Sequence, residues 1–190
     1  MDEIEIKRSD LTKQKILISA RKYFTYRSYD QVGLREIAKD AGVDTALINR
    51  YFGSKKQLYE EIIKVVYNTS NSNSLNRSSM FENQDIGQLL ALHMIRMQDN
   101  SIYAERNNLF MQSITNDTTA ELIGPKFYEC FVKQIELAIT GNEAKMKAEL
   151  ITSLVIGGSA IFSLFKRNIK TDYDQETFTN NFATMINSIL

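Results

Sequence analysis

Helix-breaking residues are nearly absent from this chain: one proline, Pro125, and eight glycines in 190 residues. A proline inside a helix costs about 3 kcal/mol relative to alanine, and a glycine about 1. A sequence that avoids both can remain helical over long spans. Its apolar residues recur at three and four positions, with no sustained alternation of the strand type and no internal repeat of 20–50 residues. The expected fold is all-α, with about nine helices.

The first stripe places Ile16, Leu17, Ala20 and Phe24 on one face of a helix over residues 10–28. Three short helices are expected next, at about 34–41, 45–51 and 55–70. An Asn- and Ser-rich stretch at 68–79 reads as a frayed helix end and loop, and makes the best boundary. Ile86, Leu89, Leu90, His93, Met94 and Met97 then mark a strong stripe. A shorter helix is expected over 102–114. Pro125 suits the first position of a further helix, where its missing N–H would have been unpaired anyway. The segments 143–167 and about 174–189 complete the chain. The implied organisation is a helix-turn-helix domain over 1–53, a connecting helix and loop over 54–78, and a second helical domain over 79–190.

Several function classes are excluded or disfavoured. One cysteine, Cys130, and one histidine, His93, leave no disulfide framework, multi-cysteine zinc site or His-rich metal centre. The nucleophile-elbow, P-loop and zincin patterns do not occur. No enzyme activity and no cofactor are expected. The N-terminus has no signal-like apolar core, and the most apolar stretch, 154–165, falls short of the roughly 20 residues a bilayer needs. A soluble cytoplasmic protein is therefore expected. The 23 basic and 23 acidic residues balance overall, yet residues 1–60 hold 12 Lys or Arg against 9 Asp or Glu. That excess is compatible with a polyanion and too small to establish one.

The informative segment is GLREIAKDAGVDTALINRYFGSKKQL, residues 33–58. Leu34, Ile37 and Ala38 form the inner face of a short helix. Gly42 suits a left-handed helix end, and Asp44 suits an N-cap, because its carboxylate accepts from free amides. Leu47 or Ile48, with Tyr51 or Phe52, anchors the second helix. Gly53 ends it, and Ser54 to Gln57 form a capping box for the next. Two short helices across a tight turn with glycine are the helix-turn-helix layout, whose second helix enters the DNA major groove.

With Ile37-Ala38, Ala41-Gly42-Val43, Tyr51-Phe52, Ser54-Lys55 and Leu58 at these spacings, and Ala20-Arg21-x-Tyr23-Phe24 before them, residues 10–62 resemble the TetR family of transcriptional regulators. Ser28 stands where that family usually has glycine. Gly33 replaces its usual Thr or Ser cap, which removes a hydroxyl contact to phosphate. Asn49 stands where tyrosine is frequent, and Leu47 where a small or hydroxyl residue is common.

Chemistry sorts the candidate contacts. Thr45, Ala46, Asn49 and Arg50 suit the groove, since Arg can pair with guanine O6/N7 and Asn with adenine N6/N7. Leu47 suits either a thymine methyl or the core, and Phe52 belongs to the core. Tyr51 suits phosphate through its hydroxyl or else the core, and Arg35 and Lys56 suit phosphate or solvent. Lys55 resembles the family lysine that holds the DNA backbone.

The resemblance further implies a ligand-sensing, dimerising C-terminal domain, and thus double-stranded DNA with a palindromic site, a homodimer and a small-molecule effector. Candidate effector residues are His93, Met94, Met97, Phe110, Met111, Phe127, Tyr128 and Phe131, whose apolar and polarisable surface suits an apolar or aromatic molecule. For each residue taken singly, ordinary core is the favoured reading. Candidate interface residues are Ile151, Leu154, Gly158, Ile161, Phe162 and Phe165, with Phe182 and Ile186 from the last helix. There, Gly157-Gly158 would permit close helix approach.

Overall fold

The computed structural model describes residues 2–67, 85–96, 102–139, 141–168 and 174–190. Among these the structure is helical, without strands. The helices are α1 (Asp2–Tyr26), α2 (Leu34–Ala41), α3 (Thr45–Phe52), α4 (Lys55–Tyr67), α5 (Ile86–Arg96) and α6 (Ile102–Ser113). Next comes α7 (Asp117–Phe127), continued by a π-helical turn, Tyr128–Val132, and by Lys133–Ala138. Then come α8 (Ala144–Asn168) and α9 (Gln175–Asn187). The whole of the expected 68–79 loop lies outside the described residues.

Two helix starts differ from expectation. Helix α1 begins at Asp2 rather than near residue 10. Pro125 lies inside α7 rather than opening a helix. The start is set instead by Asn116, whose Oδ1 accepts from the Thr119 amide at 3.0 Å, a standard N-cap bond. Pro125 has no amide to offer the Glu121 carbonyl, and the wider π turn begins three residues later.

The chain forms two compact units that do not follow chain order: residues 1–68 with 108–123, and residues 69–107 with 124–190. In the first, α1 packs on α2 and α4, and α3 packs on both of those. Ile16, Ala20 and Phe24 of α1 are fully buried together with Ile37, Ile48, Leu58 and Ile62. Phe24 and Tyr29 both meet Tyr59 edge-on, with centroids 4.9 and 5.1 Å apart. Burial pushes the Tyr59 phenol up, keeping it neutral.

Polar pairs fix α1 against α2. Lys22 bonds Asp40 at 2.9 Å. Arg27 donates to Glu36 at 3.0 Å and to the Gln31 carbonyl at 2.9 Å. Glu36 also accepts the Gly33 amide at 3.1 Å, so half of a capping box survives without a hydroxyl at position 33. Arg27 first, then the Gly33 amide, holds the Glu36 carboxyl below its ordinary range, and Lys22 does the same for Asp40. A carboxyl depressed in the folded state stabilises above its unfolded pKa, and that contribution disappears as pH falls through the folded value. Thermal melts should therefore decline below about pH 4, and Glu36→Gln should flatten that decline. An unchanged acid profile in Glu36→Gln would remove this pair from the explanation.

In the second unit, α5 packs against α8 and α9, and α8 against the end of α7. Gly87 is the closest approach. A Cβ there would lie 2.3 Å from the Ala183 carbonyl oxygen and 2.6 Å from Asn187 Oδ1. The Gly87 amide donates to that Oδ1 at 3.0 Å, and Asn187 Nδ2 donates to Asp85 at 2.8 Å. Because backbone blocks the added methyl, Gly87→Ala should cost about 1–3 kcal/mol by overpacking, read as a lower denaturant midpoint. A midpoint equal to wild type would refute the close approach.

Residues 144–164 are long and apolar enough, by length and composition, to cross a membrane, which the shorter 154–165 stretch is not. In the fold, Ala148, Ile151, Thr152, Val155, Ile156 and Ser159 of this helix are buried in protein, so one face packs inward, while only 33% of the apolar window is covered.

Candidate nucleic-acid interface

Helix α2 ends in a Schellman arrangement. Gly42 takes φ 66°, ψ 36°, the Val43 amide donates to the Ala38 carbonyl at 3.0 Å, and the Gly42 amide donates to Lys39 at 3.3 Å. The left-handed residue reverses the chain within three positions, and Asp44 then caps α3 by accepting the Ala46 amide at 2.6 Å. Gly53 stops α3 at φ 79°, its amide on the Asn49 carbonyl at 2.8 Å. The Ser54 hydroxyl accepts the Gln57 amide at 3.2 Å and opens α4.

These ends fix which face of α3 turns outward. Ile48 is the fully buried anchor. Ala46, Asn49 and Arg50 are exposed, and Thr45 and Leu47 are half-buried at the edge. Arg35 is exposed on α2. Phe52, expected in the core, is only half-buried. With Tyr51 it lines an open cavity of about 440 Å³ shared with Lys13, Leu17, Gln57, Glu60, Glu61 and Lys64. The short α3 gives its last residues too little neighbouring chain to cover both rings.

Lys13 escaped the sequence reading because nothing in the motif points to it. It stands over the Tyr51 ring, 5.6 Å from the centroid. Lys55, half-buried, places its Nζ 4.5 Å from the Tyr29 ring centroid, within cation–π range. Burial lowers its pKa, with Asp30 acting in the opposite direction.

The expected effector residues are distributed over both units. Phe110 and Met111 belong to the first unit, His93, Met94, Phe127, Tyr128 and Phe131 to the second, and Met97 lies outside the described residues. Within the second unit the rings form a packed series. His93 meets Tyr103 edge-on at 4.9 Å and stacks on Phe131 at 5.2 Å, and Phe127 lies 5.6 Å from Phe131. Met94 is fully buried, whereas Tyr128 is half-buried with its hydroxyl 3.2 Å from Glu136. Tyr103 was missed because it lies off the stripe that carries His93.

The expected interface residues also divide. Ile151, Phe182 and Ile186 are buried in their own unit. Leu154, Gly158 and Phe162 are half-buried, and the Phe165 side chain lies outside the described residues. Ile161 is 52% exposed. The outward face of α8 is instead Met146, Leu150, Ser153, Gly157, Ile161 and Leu164, one residue out of phase with the expected one.

Residues 16–62 match the family model for bacterial regulatory proteins of the tetR family. Two uncharacterized HTH-type transcriptional regulators of Mycobacterium tuberculosis are 32% identical over 85 residues, 45% of this chain and 40% of theirs. The match thus spans less than half the length of those curated relatives. Among solved structures, GusR of Salmonella enterica superposes with a TM-score of 0.71 at 19% identity, covering 94% of this chain and 95% of its own. A transcriptional regulator from Rhodococcus gives 0.67 at 17%, covering 94% and 95%. These two likenesses concern the fold. The capped helix-turn-helix lies inside the matched segment, so the likeness to bacterial regulatory proteins of the tetR family covers residues 16–62 of this chain.

Proposed function

We propose that the protein is a homodimeric, sequence-specific DNA-binding repressor of the cytoplasm, released from a palindromic operator by an apolar or aromatic small molecule. The observation that carries the DNA-binding half is the exposed edge of α3, with Asn49 and Arg50 free of the core and Ile48 holding the helix. Thr45, Ala46, Leu47, Asn49 and Arg50 read base edges, while Arg35, Tyr51 and Lys55 hold phosphates. A two-fold dimer presents two such helices one DNA turn apart, hence the palindrome.

Dimerisation is supported by Gly157. A mid-helix glycine costs about 1 kcal/mol relative to alanine, yet a Cβ at 157 would meet nothing within 4 Å. Close approach by a second copy gives that cost a purpose. Met146, Leu150, Ile161 and Leu164, each about half exposed on the same face, supply the apolar flanks. On α9, Met185 borders an apolar depression of about 380 Å³.

The effector half rests on the ring series around His93. A specific observation favours the second reading, an effector-independent DNA-binding protein: His93, Met94 and Phe131 are already packed closed. Thermal shifts against a panel of aromatic compounds separate the two. Stabilisation abolished by His93→Ala supports release by effector, and no shift across the panel supports the second reading.

The decisive experiment for DNA is selection of bound sequences from random duplexes, followed by salt titration. An inverted repeat bound with a steep salt slope is expected. Recovery of no motif would withdraw the base-reading residues.

A further inference from the structure

Asp30 follows Tyr29 in a single 3₁₀ turn, Tyr29–Gln31. The ring of Tyr29 carries the Lys55 ammonium, so a carboxylate and a phosphate-seeking cation share two adjacent residues. They nevertheless do not pair. The Asp30 carboxylate instead accepts from Asn116 Nδ2 at 2.7 Å. Asn116 uses both ends of its amide, with Oδ1 capping α7 through Thr119 and Nδ2 on Asp30. A cation held on an aromatic face keeps its N–H groups free for an incoming oxyanion, whereas one paired with a carboxylate must first lose that partner.

We propose that Asn116 is a positioning residue that holds Asp30 away from Lys55 and so keeps the lysine available to DNA phosphate. The proposal rests on the DNA-binding reading above and adds a residue more than sixty positions beyond the helix-turn-helix. Lys55 feels the Asp30 charge, so a freed carboxylate has a partner at hand. Residues 108–123 group with the helix-turn-helix, yet the chain enters and leaves them from the second unit.

The test is a double-mutant cycle in the full chain: wild type, Asn116→Asp, Asp30→Asn and the double variant. Aspartate keeps the N-cap but cannot donate to Asp30 at neutral pH, and the two carboxylates repel. Two readouts are taken, affinity for a random-sequence duplex at low salt and the Lys55 ammonium titration by NMR. Asn116→Asp should weaken binding about threefold to fivefold per protomer, the scale of one exposed ion pair, and raise the Lys55 pKa. Both effects should vanish in the Asp30→Asn background. Equal effects in both backgrounds would mean that the new charge acts directly, and no effect in either would mean that Asn116 holds nothing. Both results overturn the proposal. A wild-type chain that binds no duplex sinks the DNA-binding reading instead, while the Lys55 titration still decides whether Asn116 restrains Asp30.

Discussion

Gly158→Leu is expected to destabilise the fold by about 3 kcal/mol or more, at the upper end of overpacking costs. Gly157→Leu is expected to leave the fold intact and convert dimer to monomer. The neighbouring glycines face opposite environments. A Cβ on Gly158 would lie 2.9 Å from Met94 Sδ and 2.9 and 3.0 Å from two Phe182 ring atoms. The thioether can yield, but the ring is stacked on Phe178 at 6.0 Å, and Phe178 lies 4.8 Å from Phe162. Leucine adds three further carbons to that contact. At Gly157 the same side chain enters open space and improves helix propensity, so the chemical melt should hold or rise. Sedimentation then reads the interface alone. A Gly157→Leu chain that remains dimeric would remove α8 from the proposed interface, and a Gly158→Leu chain as stable as wild type would contradict the packing of α5 on α8.

Arg50→Ala and Lys55→Ala should each weaken DNA binding, in distinguishable ways. Arg50 is exposed on the open face of α3. If it reads guanine, its loss should cost about 1–3 kcal/mol on the selected site and flatten preference at one position per half-site. If it holds phosphate, selected and random duplexes should weaken alike. Lys55 sits at the start of α4 with its charge on Tyr29. Its loss should weaken all duplexes alike and lower the salt slope by about one per protomer. Unchanged affinity for random DNA in Lys55→Ala would end its assignment to the backbone.

Much of the DNA-facing unit was legible because its signals are local. Gly42 and Gly53 adopt positive φ, Asp44 caps, and the α2 and α3 boundaries follow from those residues with little help from the rest of the chain. Asn116 caps α7 through an equally local bond from the Thr119 amide, nine residues before Pro125. Proline inside α7 shows packing overriding propensity. The contacts of Asn116 with Asp30 and of Lys13 with Tyr51 had no linear signature, since each joins helices distant in sequence.

The last two helices show where sequence reading ends. Their existence and length follow from composition and periodicity; the structure adds the cap at Asp174, whose carboxylate accepts the Thr177 amide at 2.6 Å. Their facing does not follow in that way. A helix with a polar side declares its rotation, because water takes that side. α8 is apolar over much of its circumference, so periodicity does not separate residues 157 and 158, about 100° apart, and the expected interface took Gly158. Only the tertiary structure separates the two positions: Met94 and Phe182 occupy the space over Gly158, whereas among the described residues nothing lies within 4 Å of a Cβ at Gly157.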